Sequence, residues 1–179
     1  MSGGVSVSGG LLQGIGTITG NVSLTAGGSI TGGTLTAPGT LDITGNLDLS
    51  GGGTFDEVIG SASSYSSLDV SGDVTLGGTS QLDITLLNGF NPTGDSFTII
   101  DPPGPELTGI FGNLPVGGNF AMDGENWTIS YGADDVVLTG DSEVTSTATP
   151  EPGALIMLSA GLLALAFFGR KRFSSTSDK

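Results

Sequence analysis

The stretch Ile18-Thr-Gly-Asn-Val-Ser-Leu24 occurs three times in the chain, with small changes. It returns 25 residues on as Ile43-Thr-Gly-Asn-Leu-Asp-Leu49, and 27 residues further as Val70-Ser-Gly-Asp-Val-Thr-Leu76. In each copy a Gly-Asn or Gly-Asp pair precedes an alternation of apolar and polar residues. The alternation predicts short strands with one buried face, and the pair tolerates the positive φ of a sharp turn.

A spacing near 25 residues between Gly-rich corners predicts an all-β fold, a short parallel β-solenoid (β-helix) whose circuits stack and bury their Val, Ile and Leu side chains. Ile18, Ile43 and Val70 then form one inward-facing ladder. An antiparallel β-sandwich built from the same strands is the alternative. The 33 glycines disfavour a mainly helical domain, because each glycine inside a helix costs about 1 kcal/mol.

Residues 65–140 differ from the repeats of residues 1–64 in their aromatic content. This part holds Phe90, Phe97, Phe111, Phe120, Trp127 and Tyr131. Its spacing of strands resembles the C-terminal end of the β-strand-repeat passenger regions of autotransporters. The resemblance implies a β cap whose aromatic side chains plug the last circuit. A sugar-stacking platform of Trp127 and Tyr131 is the alternative, but alternation puts both on one face with Ile129, which favours core packing.

The charges are unevenly distributed along the chain, which has 18 acidic and 4 basic residues and a net charge of −14. Every basic residue lies after position 169. Apart from Glu151 and Asp178, all the acids lie in residues 1–149, which therefore carry 16 carboxylates and no cation. Nucleic acid is excluded as a partner, because binding phosphates needs Lys or Arg.

Few residues of this sequence are suited to catalysis. The chain has no Cys and no His, which excludes disulfides, thiolate nucleophiles, zinc clusters and histidine acid–base chemistry. A glycosidase needs only two carboxylates, and Asp134-Asp135 is the single adjacent Asp pair. The pair follows Gly132 in a predicted hairpin turn, where Asp is favoured for turn chemistry alone. We therefore expect no enzyme activity.

The carboxylates also raise the question of a bound metal ion, although the sequence predicts no cofactor. The stretch from Gly51 to Ile59 approaches the glycine/aspartate calcium nonapeptide, with Thr54 where a glycine is required. That motif works in tandem, and one copy is visible. Asp56 and Glu57 are the candidate ligands for Ca²⁺. The alternative is a Gly-rich corner followed by two solvated carboxylates.

The C-terminal region begins with an uncharged, apolar stretch at residues 153–169, which is followed directly by Arg170, Lys171 and Arg172. This pattern predicts a transmembrane helix about 25 Å long with a basic stop. A buried core helix or a docked tail is the alternative. The basic cluster orients the helix, placing the 174–179 tail in the cytoplasm and residues 1–149 outside.

A polar linker at 141–149 leads to Pro150, Glu151 and Pro152, just before the apolar stretch. The order Pro-Glu-Pro, apolar helix, basic cluster, within residues 150–173, resembles the PEP-CTERM sorting signal of exported proteins from Gram-negative, exopolysaccharide-producing bacteria. The resemblance implies that exosortase, a membrane-embedded cysteine transpeptidase-like enzyme, recognises Pro150, Glu151 and Pro152. It also implies removal of the helix at the inner membrane and delivery to the cell envelope or extracellular matrix.

The first ten residues have neither the basic nor the apolar segment of a signal peptide. We interpret this as a truncated or mis-assigned start, and tail-anchored insertion is the alternative. The expected function is that of an exported, non-enzymatic structural protein of the surface or matrix, associated with biofilm or exopolysaccharide. A carbohydrate-binding or adhesin module on the same β-solenoid is the alternative.

Overall fold

A computed structural model describes residues 3–101, 106–114 and 118–141. Within these ranges the regular structure is all β-strand apart from one 3-10 turn at Leu87–Gly89, so the predicted all-β class is confirmed. The strands, which lie in a compact unit spanning residues 1–144, are β1 (Val5–Val7), β2 (Gly10–Gly14), β3 (Gly16–Ile18), β4 (Val22–Thr25), β5 (Gly28–Thr34), β6 (Ala37–Pro38), β7 (Thr40–Ile43), β8 (Leu47–Gly51), β9 (Thr54–Ser61), β10 (Ser64–Tyr65), β11 (Ser67–Val70), β12 (Val74–Thr75), β13 (Gln81–Leu86), β14 (Ser96–Asp101), β15 (Leu107–Thr108), β16 (Asn119–Met122), β17 (Glu125–Tyr131) and β18 (Val136–Asp141).

These strands form three sheets in which most neighbours are parallel. The first sheet has the order β1-β4-β8-β12-β15, with every pair parallel. In the second, β2, β5, β9 and β13 follow one another in parallel, and β6 and β10 fold back as antiparallel hairpins on β5 and β9. Strands from both sides of the predicted boundary at residue 64 therefore share sheets, and that boundary stays a prediction.

The third sheet changes its pairing along its width. It begins with β3, β7, β11 and β14 in parallel and continues through β18, β17 and β16, which are antiparallel to their neighbours. Because β14 pairs with both β11 and β18, it joins the repeated part of the chain to the C-terminal hairpins.

The register of the parallel strands follows the sequence repeat. Ile18 lies opposite Ile43, and Ile43 lies opposite Val70, each time on parallel neighbours. The predicted ladder of these three residues is confirmed. The antiparallel alternative is wrong for these strands.

The Gly-Asn corners stack directly on one another. The backbone N–H of Asn46 donates to Oδ1 of Asn21 at 3.0 Å, and the N–H of Asp73 donates to Oδ1 of Asn46 at 3.0 Å. A Cβ on Gly45 would lie 2.5 Å from the carbonyl carbon of Gly20. Gly45 does not have the positive φ that turn chemistry predicted. Glycine is needed there because the stacked backbones approach too closely for a side chain.

The core lies between the three sheets and continues beside the antiparallel strands. Aromatic rings fill this second part, where Phe97 lies 5.3 Å from Tyr65, 6.4 Å from Phe90 and 6.1 Å from Trp127, between ring centroids. Such tilted and edge-to-face pairs add about 0.5–1.5 kcal/mol each beyond the area that they bury. The rings therefore hold β14, β17 and the β9–β10 hairpin together.

None of the helices in the ranges given above is both long and apolar enough to cross a membrane. Asp141, the first residue of the linker predicted at 141–149, is the last residue of β18. The rest of that linker, the transmembrane helix predicted at 153–169 and the tail predicted at 174–179 lie outside the described residues.

Candidate functional site

Aspartates form a column on the outer face of the third sheet. Asp42, Asp69 and Asp101 lie directly opposite one another on β7, β11 and β14. Burial raises the pKa of Asp69 above its usual value, and repulsion from Asp101 and Asp42 raises it further. Neighbouring strands are about 4.8 Å apart, so the column gathers negative charge on one surface.

A shorter column lies on the second sheet, where Asp56 on β9 is opposite Asp83 on β13. Burial raises the pKa of Asp56, a hydrogen bond from Ser29 opposes that shift, and the charge of Asp83 adds to it. Both columns point outward, because the residue before each aspartate on its strand is buried in the core. Their chemistry suits neutral or cationic partners and disfavours anionic ones.

Glu57 points the other way, into the core. Its side chain is fully buried on the same face of β9 as Phe55 and Ile59, and Ile84 lies opposite on β13. Neither carboxyl oxygen has a hydrogen-bond partner among the residues that the structure describes. Burial raises the pKa of Glu57 well above its usual value. The nearby N–H of Ser66 opposes this only in part, because it donates to the carbonyl of Val58.

The structure therefore does not bring the two predicted calcium ligands together, since Asp56 and Glu57 lie on opposite faces of β9. The alternative of two solvated carboxylates is wrong for Glu57, which has no exposed surface. Over the described ranges no three acidic side chains are grouped to hold a metal ion. A bound Ca²⁺ stays a prediction from the sequence.

Asp134 and Asp135 lie in the turn between β17 and β18, as predicted. The turn is closed by the N–H of Gly132, which donates to the carbonyl of Asp135 at 2.8 Å. This position accounts for the pair by turn chemistry.

The aromatic pair considered as a sugar platform is part of the core. Trp127 is fully buried, and its indole N–H donates to the carbonyl of Met122 at 3.1 Å. The Tyr131 hydroxyl accepts a hydrogen bond from the N–H of Phe111 at 3.1 Å, and burial raises the pKa of Tyr131. The ring of Trp127 has no face free for a sugar, so core packing is confirmed for this residue.

Side chains that the sequence did not single out cover the outer edge of β13. They are contributed by Asn113, Met122 and Asp123. The hydrogen bonds are Leu82 N–H to Asn113 Oδ1 (3.1 Å), Asn113 Nδ2 to Leu82 O (2.8 Å), Ile84 N–H to Met122 Sδ (3.2 Å) and Leu86 N–H to Asp123 Oδ2 (2.5 Å). They satisfy alternate backbone groups that would otherwise remain free to pair with another strand.

The residues predicted to direct sorting, Pro150, Glu151, Pro152, Arg170, Lys171 and Arg172, lie outside the described ranges, and the last described strand ends at Asp141. The sequence model of the PEP-CTERM protein-sorting motif matches residues 148–172. The chain carries a PEP-CTERM sorting motif. The PEP-CTERM motif indicates a membrane-anchored precursor that exosortase processes at the membrane and that is exported to the cell envelope or surface. No curated protein and no solved structure gives a significant match.

Proposed function

We propose that this protein is a non-enzymatic structural component of the cell surface or extracellular matrix, delivered there as an exosortase substrate. The observation that carries the proposal is the match of residues 148–172 to the PEP-CTERM motif. Pro150, Glu151 and Pro152 form the element that exosortase recognises. Residues 153–169 form the membrane helix, and the cluster at 170–172 keeps the C-terminus in the cytoplasm.

The exported body is a short parallel β-solenoid of the autotransporter type, closed by a C-terminal cap. A run of parallel strands in each of the three sheets supports this architecture, as does the ladder of Ile18, Ile43 and Val70. The change to antiparallel pairing at β14 and the rings around Phe97 support the cap. Repeat proteins need such an end, because the last unit exposes an apolar face.

A structural role fits the chemistry of the body better than catalysis. Residues 1–149 contain no cation and no histidine, and the Asp134–Asp135 pair lies in a hairpin turn. The aspartate columns on the outer faces disfavour anionic polymers, so a neutral exopolysaccharide is the matrix partner that this surface fits.

Replacing Glu151 by alanine should block processing in cells that express exosortase. The full-length variant, expressed behind a signal peptide, should then accumulate in the inner membrane, because the recognition element has lost its only carboxylate. Immunoblots of membrane and surface fractions measure the ratio of precursor to processed protein. Glu143→Ala, outside the matched residues, is the control and should be processed like the wild type. Equal processing of all three proteins would contradict the proposal.

A carbohydrate-binding or adhesin function is the alternative, and the polar outer columns are what favours it. Hydroxyl groups continue these surfaces, as where Thr40 and Ser67 are hydrogen-bonded at 2.8 Å. A structural role predicts no saturable binding when a fragment of residues 1–149 is applied to a glycan array. Saturable binding that is lost on mutation of the Asp42–Asp69–Asp101 column would favour the adhesin.

A further inference from the structure

A cavity of about 330 Å³ lies where the connection between β12 and β13 meets the segment that follows β15. Its lining residues are Gly78, Thr79, Ser80, Gln81, Gly112 and Asn113, and all of them except Ser80 are exposed. The cavity therefore opens at the surface of the body. Its volume is at the lower end of the ~300–1,000 Å³ that is usual for small-molecule sites, so it suits one small ring rather than an extended ligand.

The space in this cavity is left by a side chain that the backbone would tolerate. A Cβ on Gly78 would meet no atom within 4 Å, and the φ of Gly78 is not positive. At Gly51, the equivalent position one circuit earlier, a Cβ would lie 2.7 Å from the carbonyl oxygen of Leu24. Close packing thus explains the glycine at position 51 but not the one at position 78, where glycine keeps the cavity open.

Hydrogen bonds to the backbone hold two of the polar lining residues in place. The hydroxyl of Thr79 donates to the carbonyl of Ser50 at 3.0 Å. The carboxamide of Asn113 is fixed at both of its ends by the backbone of Leu82, at 3.1 Å and 2.8 Å. Side chains that are already fixed lose little conformational freedom when a ligand binds, which favours binding.

The same residues keep hydrogen-bonding capacity for a ligand. Beyond its bonds to Leu82, the Asn113 carboxamide retains one N–H and one oxygen lone pair, and the Thr79 hydroxyl can still accept. Gln81 is exposed and adds two N–H donors and a carbonyl acceptor. Such a mixture of donors and acceptors suits hydroxyl groups, because a hydroxyl both donates and accepts hydrogen bonds.

The charges near the cavity select against ionic ligands. None of the six lining residues is charged, so an ion would find no counter-charge among them. Asp83 lies two residues after Gln81 on the same outward face of β13, and Asp56 lies opposite Asp83 on β9. These carboxylates repel anions and attract cations to their own column. The ligand that fits the cavity itself is neutral and rich in hydroxyl groups.

We propose that this cavity binds one sugar residue of a neutral polysaccharide, with Thr79, Gln81 and Asn113 as the hydrogen-bonding groups. Because the cavity is open at the surface, the polysaccharide chain can continue beyond the bound ring. The inference rests on the carbohydrate-binding function given above as the alternative, and it goes beyond a purely structural role. It places the sugar at the corner between the first and second sheets rather than on the Asp42–Asp69–Asp101 column.

The test measures binding of the full-length chain, in micelles of a detergent without a sugar headgroup, to immobilised polysaccharides. The probes are the neutral polymers dextran, mannan and galactan and the anionic polymer alginate. The wild type should bind at least one neutral polymer saturably and should not bind alginate. Gly78→Phe should weaken binding about tenfold or more, because the ring occupies the cavity. Gln81→Ala, which removes one exposed carboxamide, should weaken binding about fivefold and serves where the phenylalanine variant folds poorly.

Gly9→Phe is the matched control, at the same corner between the first and second sheets but in the first circuit. An added Cβ there also meets no atom within 4 Å and φ is not positive, so this variant should bind like the wild type. A wild type that binds no neutral polymer would overturn the carbohydrate-binding function together with the site. Binding that resists both Gly78→Phe and Gln81→Ala, or equal binding of alginate, would overturn the site alone. Sorting is tested separately by Glu151→Ala.

Discussion

Replacing Gly32 by alanine should lower the free energy of unfolding by about 3 kcal/mol, the upper end of the usual cost of overpacking. Gly32 is buried in β5, where an added Cβ would overlap the carbonyl oxygens of Gly39 and Ser67 and lie 2.9 Å from the nitrogen of Ser67. These are backbone atoms of two other segments, which cannot rotate away. They are also tied together, since the N–H of Ser67 donates to the carbonyl of Gly39 at 3.0 Å.

Thermal unfolding of a fragment of residues 1–149 measures this effect, and the expected fall in melting temperature is roughly 10 °C. Gly60→Ala is the matched control, a glycine in β9 of the same sheet. A Cβ there would make an ordinary contact of 3.5 Å with the carbonyl of Ser64. Without strain, alanine restricts the unfolded chain and should raise stability by about 0.4–1 kcal/mol. Equal melting temperatures for the two variants would contradict the close approach at Gly32.

Glu57→Gln should stabilise the protein at pH 7 by up to about 3 kcal/mol, the cost of keeping a carboxyl protonated at that pH. Glu57 is fully buried without a hydrogen-bond partner in the described part of the chain, and burial raises its pKa well above the ordinary value of 4.5. The unfolded chain loses this proton at lower pH than the folded protein does. Folding above pH 4.5 must therefore take up a proton.

The pH dependence follows from the sign of that shift. Below pH 4.5 both states are protonated and the two proteins should be equally stable with respect to this group. As the pH rises toward the raised pKa, the wild type should lose stability relative to Glu57→Gln. The pKa values of Asp56 and Asp69 are also raised. These two groups should lower the stability of the wild type further as the pH rises through the acidic range.

Urea unfolding at several pH values from about 4 to about 8 measures the difference between the two proteins. Glu57→Met separates charge from polarity, because it removes the titration and the buried polar atoms together, and it should stabilise more than the glutamine. Glu125→Gln, the same substitution on the C-terminal hairpin, is the control for the loss of one negative charge from the body. A constant difference between wild type and Glu57→Gln at all pH values would show that Glu57 does not titrate differently on folding.

The sorting motif and the register of the repeated strands were both accessible from the sequence. Pro150, Glu151 and Pro152 are recognisable because a sorting signal acts through the order of its parts along the chain. Ile18, Ile43 and Val70 could be aligned because neighbouring parallel strands place equivalent residues of successive repeats opposite one another. A repeat in sequence therefore becomes a ladder in space.

The tertiary structure alone decided which side chains are buried where the alternation continues past the repeat. Asp56 and Glu57 look equivalent in the sequence, but adjacent residues of a strand face opposite sides, and the register of β9 puts Glu57 in the core. The cover of β13 by Asn113, Met122 and Asp123 was likewise invisible, because these hydrogen bonds join residues 31 to 38 positions apart. The local sequence pattern determines where strands form and how they are spaced along the chain. Contacts between residues so far apart in sequence depend on how the segments that carry Asn113, Met122 and Asp123 pack against β13.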